Sequence, residues 1–169
     1  MKITRFFAFL SLSALVFSIS CSNEKKASDT QTSTDDEAFY ATQPVKSGLY
    51  DADFFNITGD NAREGHFDGR IYFALSPDIN AFYVFENGNR TKIDYTVVLS
   101  KPFEKTDSGT FVSVDTKNHP VTIIPDSVYV LKFDRGESNI AINFSPKPRH
   151  TASALEIMEK INESHQKNK

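Results

Sequence analysis

Residues 70–100 read RIYFALSPDINAFYVFENGNRTKIDYTVVLS, and this stretch decides the predicted fold. Three segments within it show the side-chain pattern of β-strands and are separated by turn-forming residues. These segments are Arg70–Leu75, Ala81–Glu86 and Thr91–Ser100. The stretch shows no alternation of strands with helices, so it predicts antiparallel rather than parallel pairing.

The third segment has the clearest strand pattern. One of its faces carries the apolar side chains Ile93, Tyr95, Val97 and Leu99. The other face carries polar side chains together with Val98. The dipeptide Asn87-Gly88 lies shortly before this segment, and both of its residues tolerate positive φ, which favours a β-hairpin turn.

Short strands continue on both sides of this region. They are predicted near Asp53–Thr58, Thr110–Asp115, Val121–Ile124, Val128–Phe133 and Asn139–Phe144. Their spacing predicts a mainly β fold, an antiparallel β-sandwich or a small β-barrel, over residues 45–150. Because Pro120 and Pro125 flank one strand and proline cannot donate to a ladder, that strand is predicted at a sheet edge.

One helix is predicted at the carboxyl end, within residues 151–169. Ser153 and Glu156 have the spacing of a capping box, which marks a helix start. Leu155, Met158 and Ile161 follow at intervals of three residues and form an apolar stripe. The predicted architecture is therefore a β-rich domain with one C-terminal helix.

The first two segments of the opening stretch are apolar on both faces, whereas a strand with one solvated face should be polar there. The additional aromatic side chains are Tyr72, Tyr83 and Phe85. Two interpretations remain open for them. Either the stripe of the C-terminal helix covers them, or they form an exposed face that binds a partner or a small apolar ligand.

The amino terminus has the features of an export signal. Lys2 and Arg5 precede an uncharged, largely apolar run of 14 residues at positions 6–19. A membrane-spanning helix needs about 20 apolar residues, so this run is short for one. Cys21, the only cysteine in the chain, follows directly after Ser20.

The residues Ser18-Ile19-Ser20-Cys21 resemble the lipobox of bacterial lipoproteins, although Ser18 replaces the usual aliphatic residue. The resemblance covers residues 1–21. It implies that Cys21 carries a lipid and that residues 1–20 are removed as a signal peptide. Ordinary secretory cleavage is the alternative, because the two serines also satisfy its small-residue rule. Ser22 is not the aspartate that retains lipoproteins in the inner membrane, which favours the outer membrane in an organism with two membranes.

Residues 21–44 are predicted to form a disordered tether. Polar and charged residues dominate this segment, so it buries too little apolar surface to offset the entropy lost on ordering. Phe39 and Tyr40 are its large apolar residues. In the alternative interpretation, this aromatic pair docks on the domain.

Catalytic and metal-binding signals are weak. The histidines His66, His119, His150 and His165 lack metal-site spacing, and no nucleophile or phosphate-binding motif occurs. The acidic stretch 60–68 departs from a calcium loop at Ala62 and Ile71, so it is predicted to be a solvated loop. Asp51 and Asp53 are typical of an exposed strand face. We therefore predict no enzyme, no metal and no cofactor.

Charge and composition narrow the possible partners. Loss of residues 1–20 changes the formal net charge from −3 to −5, and no block of basic residues remains, so no nucleic acid is predicted. The leading hypothesis is a non-enzymatic binding module of the cell envelope, tethered to the bilayer through acylated Cys21, with an envelope protein as partner. One alternative is a carrier or sensor of a small apolar ligand held in a barrel cavity.

The other alternative is an envelope enzyme or enzyme inhibitor. Some lipoprotein lysozyme inhibitors are small β-barrels with an SGxxY motif. The segment Ser47-Gly48-Leu49-Tyr50 is one residue shorter than that motif. We therefore do not predict that this chain inhibits lysozyme.

Overall fold

The computed structural model describes residues 34–60, 62–85 and 94–167. Within these ranges the chain is mainly β, as predicted, with a C-terminal helix and a second, shorter helix before the first strand. The described residues belong to one compact unit, Thr32–Lys169. In chain order the elements are α1 (Thr34–Thr42), β1 (Gly48–Gly59), β2 (Arg63–Leu75), β3 (Asn80–Phe85), β4 (Tyr95–Val98), β5 (Glu104–Lys105), β6 (Phe111–Val114), β7 (Pro120–Ile124), β8 (Tyr129–Arg135), β9 (Ser138–Phe144), β10 (His150–Thr151) and α2 (Ala154–Lys167).

All of these strands belong to one antiparallel sheet that curls into a half-barrel. The strand order is β4-β3-β2-β1-β9-β8-β7-β6-β5, and β10 pairs with β1. The strands β4 and β5 follow each other closely and form one bent segment. Its first part pairs with β3, its last part pairs with β6, and a single bridge joins Leu99 to Asp115 between the two parts.

The concave side of the sheet encloses the main core, which we call the interior cluster. Its central ring is that of Phe73, whose centroid lies 5.4 Å from Tyr50, 5.8 Å from Phe82 and 5.5 Å from Phe144. Aliphatic side chains from both halves of the sheet pack around these rings. The buried members are Val45, Tyr50, Ala52, Ile57, Ile71, Phe73, Leu75, Phe82, Val84, Leu99, Phe103, Val121, Ile123, Leu131, Phe133, Ile140, Ile142 and Phe144.

A second apolar group lies on the convex side of β2 and β3, beneath α2, and we call it the outer cluster. Its buried members are Ala74, Ala81, Tyr83, Phe85, Ala154, Ile157 and Ile161. These two strands therefore separate two apolar layers. Their apolar character on both faces follows from this position.

The segment before β1 corrects the predicted extent of the tether. Residues 34–42 form α1, and Phe39 and Tyr40 pack against the interior cluster, which confirms the docking alternative. The Tyr40 hydroxyl lies 2.6 Å from the carbonyl oxygen of Leu75, and the Ser47 hydroxyl accepts the Leu75 N–H at 2.7 Å. The prediction of disorder up to residue 44 is therefore wrong for this part, because two aromatic rings anchor it.

Two further predictions are wrong. The strand flanked by Pro120 and Pro125 is not at an edge, because β7 pairs with both β6 and β8. Pro120 is the first residue of the strand, where a missing N–H is tolerated. The acidic stretch 60–68 is also not all loop, since β2 begins at Arg63. Gly65 and Gly69 lie at inward positions of β2. Because glycine has no apolar side chain, the alternating apolar pattern of a strand is not visible there.

Several predictions concern residues outside the described ranges. They are the signal peptide at residues 1–20, the lipidation site Cys21, the first part of the tether and the Asn87-Gly88 turn. Where the chain is described, neither helix is long and apolar enough to cross a membrane.

Candidate functional site

The three aromatic residues predicted as a possible binding face are brought together, but under α2. Tyr83 is 4% exposed and Phe85 is 3% exposed, and the Tyr72 ring packs edge-on against Phe85 at 5.5 Å. Burial raises the pKa of the Tyr83 phenol, whose hydroxyl contacts the sulfur of Met158. The covered interpretation is therefore confirmed, and the exposed binding face is wrong.

The helix covers this face with a stripe that differs from the predicted one. Leu155 is 61% exposed, whereas Ile157 is buried together with Ile161. The buried Ala154, Ile157 and Ile161 and the partly buried Met158 follow the i, i+3, i+4, i+7 spacing of a core-facing helix. The predicted stripe used a constant interval of three residues, from Leu155 to Met158 to Ile161. Because an α-helix has 3.6 residues per turn, such a stripe rotates around the helix, and Leu155 falls outside the contact.

The segment Ser47-Gly48-Leu49-Tyr50 serves the fold. Ser47 is buried and bonded to Leu75, as described above. The Tyr50 hydroxyl donates to the carbonyl oxygen of Lys46 at 2.9 Å, and burial raises the pKa of Tyr50 to about 12. At Gly48 a Cβ atom would approach the carbonyl oxygen of His150 to 2.5 Å, so β10 requires glycine there. None of these groups is presented to a partner.

Among the described side chains, the remaining titratable candidates are exposed, apart from His119, which is half-buried. Asp51 pairs with Arg70 at 3.2 Å and with Arg149 at 3.3 Å, which is an ordinary surface ion-pair network. His66 lies near the carbonyl oxygen of Asp53. Across the described ranges, no three His, Cys, Asp or Glu side chains are grouped so that they could hold a metal ion.

A groove runs along the outer edge of β4, where the curled sheet does not close, and we call it the seam groove. The turns that follow β6 and β8 form its opposite wall, and its volume is about 240 Å³. Its lining includes Thr96, Val98, Thr116, Lys117, Phe133 and Arg135. The groove thus combines strand backbone, apolar side chains and charged side chains.

A different contact between β4 and the opposite wall lies at each end of the seam groove. At one end the Thr116 N–H donates to the carbonyl oxygen of Val98 at 3.1 Å, beside the bridge that joins Leu99 to Asp115. At the other end the Arg135 guanidinium lies 5.0 Å from the Tyr95 ring centroid and donates to the carbonyl oxygen of Asp94 at 2.8 Å. Between these contacts, the described residues leave the groove beside Thr96.

The turn after β6 is held by Asp115. Its carboxylate accepts the backbone N–H groups of Lys117 and His119, both at 2.8 Å, and lies 3.2 Å from the His119 ring. Partial burial raises the pKa of Asp115, but these donors outweigh it and hold the pKa below its ordinary value. The Asp115 charge is therefore engaged within its own turn, while Lys117 is exposed at the rim.

Two larger grooves are less suited to a specific ligand. One, of about 440 Å³, lies beside α1, but the Gln43 amide at its border is already bonded to the backbone of Phe103. The other, of about 410 Å³, is a depression on the outer face of β7, β8 and β9. It presents Thr122, Lys132 and Asn139 on strands that are each paired on both sides, so it offers no sheet edge.

No family model matches the chain, and neither the curated proteins nor the solved structures give a match. The sequence pattern also did not identify the seam groove, because strand order is not visible in it. One signal was present: Val98 stands among polar residues on the outer face of its strand, and it is 48% exposed.

Proposed function

We propose that this chain is a lipid-anchored protein of the cell envelope that displays a non-enzymatic binding module. Residues 1–20 direct export, acylated Cys21 holds the protein to the bilayer, and the outer membrane is the destination where there are two membranes. The half-barrel is the displayed module, and its partner is an envelope protein that contacts its surface.

The observation that carries this proposal is the packed interior of the half-barrel. Phe82 lies 5.3 Å from Phe133, and both join the ring network around Phe73. A carrier needs an enclosed apolar space for its ligand, whereas these rings occupy the space that the sheet encloses. Binding at the outer surface is therefore favoured over storage of an apolar ligand inside.

The anchor is tested by metabolic labelling of the full chain in a bacterial host with an alkyne analogue of palmitate. We expect label on the wild-type protein and on the control Ser22→Ala, which keeps the lipobox-like residues. The variant Cys21→Ser should carry no label, because the Cys21 thiol is the acyl acceptor. It should also retain residues 1–20, because cleavage before position 21 follows acylation. An unlabelled wild-type protein would contradict the anchor.

The module is tested with a fluorescent fatty acid added to the purified full chain. We expect no saturable binding, because the interior side chains pack against one another. Stoichiometric binding that is lost in Phe73→Trp, a variant that adds volume to the interior, would instead favour the carrier.

A further inference from the structure

We propose that the open edge of β4 in the seam groove binds an extended peptide segment of a partner protein by β-strand addition. In this mode, main-chain hydrogen bonds to a sheet edge provide affinity, and pockets for alternate side chains provide specificity. The inference rests on the proposed function, since it names the partner class and the contact site of the displayed module.

The register of β4 identifies the backbone groups that face the groove. Leu99 donates to the carbonyl oxygen of Asn80, so Ala81 and Val98 form a pair without mutual hydrogen bonds. Because bonded and non-bonded pairs alternate in antiparallel sheets, Val97 bonds to β3. The N–H and carbonyl of Thr96 and the N–H of Val98 therefore point to the seam groove.

The outer edges of β4 and β5, the two parts of the bent segment, have different surroundings. Beside β5, the Gln43 amide takes the place of a strand: it accepts the N–H of Phe103 at 3.0 Å and donates to the Phe103 carbonyl at 3.3 Å. The strand β5 itself consists of two charged residues, Glu104 and Lys105, and short charged edges resist pairing. On β4, which reads Tyr-Thr-Val-Val, the contacts of Arg135 and Thr116 lie at the ends, and among the described residues no side chain takes the place of a strand beside Thr96.

The side chains at the groove indicate what the added strand presents. Tyr95 and Val97 are half-buried and point inward, and Phe133 lies at the groove floor. An extended peptide with apolar residues at alternate positions places them against this surface. The exposed charged side chains that line the groove are the cations Lys117 and Arg135, and Arg135 also contacts the Asp94 carbonyl and the Tyr95 ring. The carboxylate of Asp115 is engaged by its own turn, and Asp134 is half-buried. Carboxylates at the flanks of the peptide complement these cations.

The shape of the groove selects a single chain over a second copy of this protein. The turns after β6 and β8 stand opposite β4 and leave a space of about 240 Å³. One extended segment enters such a space, while the edge of another folded sheet meets the two turns first. The occupant is therefore a flexible segment of a partner.

The test uses fluorescence anisotropy of the labelled peptide acetyl-EVTVE-amide with the purified full chain. We expect saturable binding that weakens at least about tenfold in Thr96→Pro, because proline removes the N–H of Thr96 and its ring blocks the edge. Thr96→Ala is the matched control, since it removes the side chain and keeps the N–H, and its binding should equal that of the wild type. The melting temperature of Thr96→Pro should change little, because this N–H does not bond to β3.

A second measurement leaves the protein unchanged. The same peptide with an N-methyl group on its first valine or on its threonine should bind at least about tenfold more weakly in one of the two versions, because the N–H groups of adjacent residues in a strand point to opposite edges and only one of them faces β4. Hydrogen exchange should slow at Thr96 and Val98 on peptide binding. No binding at millimolar peptide, or equal binding by Thr96→Pro, would overturn the proposal.

Self-association that Thr96→Pro abolishes would also overturn it, because the edge would then bind a second copy. The peptide measurement does not depend on the anchor. Peptide binding without lipid labelling of Cys21 would contradict the anchor and support the edge site. Labelling without peptide binding would support the anchor and contradict the edge site.

Discussion

The interior cluster and the outer cluster lie on opposite faces of β2 and β3, yet they are built differently. Among the described residues the interior cluster buries 18 side chains drawn from both halves of the sheet. The outer cluster buries seven, supplied by two strands and α2. The first requires the sheet to curl, while the second requires one helix to dock. We therefore expect the interior cluster to determine whether the domain folds, and the outer cluster to add stability to a formed sheet.

The largest effect is expected from Phe73→Ala, at the centre of the interior cluster. Removing a buried phenylalanine costs about 3–5 kcal/mol of unfolding free energy, from lost burial and the cavity left behind. Chemical denaturation measures this loss, and Val128→Ala, at an exposed position, is the control with little change. A loss below about 1 kcal/mol would show that the ring network is not the core of the fold.

A smaller loss is expected from Ile157→Ala, which removes the central α2 side chain of the outer cluster. We expect about 2–4 kcal/mol, because the helix can partly settle into the space that is left. Leu155→Ala is the matched control on the same helix, and its exposed side chain should contribute little. If the two variants lose equal stability, α2 does not dock in the orientation described.

The third prediction distinguishes the clusters by alkaline titration. Burial raises the pKa of Tyr50 to about 12, so the folded state favours the neutral phenol. The stabilisation that the neutral Tyr50 phenol gives to the folded state is complete below the ordinary tyrosine pKa of about 10. It is lost as the pH rises towards 12. The loss is about 2–3 kcal/mol, measured by denaturation at both pH values. Tyr50→Phe should remove most of this loss, and Tyr83→Phe a smaller part.

The smallest effect is expected from Ser153→Ala, at the start of α2. The Ser153 hydroxyl accepts the N–H of Glu156 at 3.2 Å, and the Glu156 carboxylate accepts the N–H of Ser153 at 2.8 Å, which confirms the capping box. Losing the cap costs about 1 kcal/mol. Hydrogen exchange should accelerate in α2 and remain unchanged in the interior strands. Equal acceleration in both would mean that the two clusters unfold together.

The same variant affects the titration of Glu156. Hydrogen bonds from the backbone and then the side chain of Ser153 hold the Glu156 pKa below its ordinary value. A lowered carboxyl pKa stabilises the fold at neutral pH, and this contribution is lost as the pH falls through the folded-state value. In Ser153→Ala the Glu156 pKa, followed by NMR, should rise towards the ordinary value.

Much of the local structure was determined by the sequence itself. The alternating pattern placed the segments of β3, β8 and β9 within a few residues, and the spacing of Ser153 and Glu156 located the start of α2. The two-faced apolar strands indicated that Tyr72, Tyr83 and Phe85 needed a second cover if they were structural. These features depend on contacts between residues close in the chain, where the period of the side chains is sufficient information.

Only the tertiary structure decided which segments become neighbours. It placed β7 between two strands despite its flanking prolines, turned Leu155 outward, and docked Tyr40 against Leu75 so that part of the predicted tether became a helix. It also ended β6 beside Asp115 and left the edge of β4 open, which created the seam groove. Each of these outcomes depends on pairings between residues far apart in sequence, and a side-chain period carries no record of which strand pairs with which.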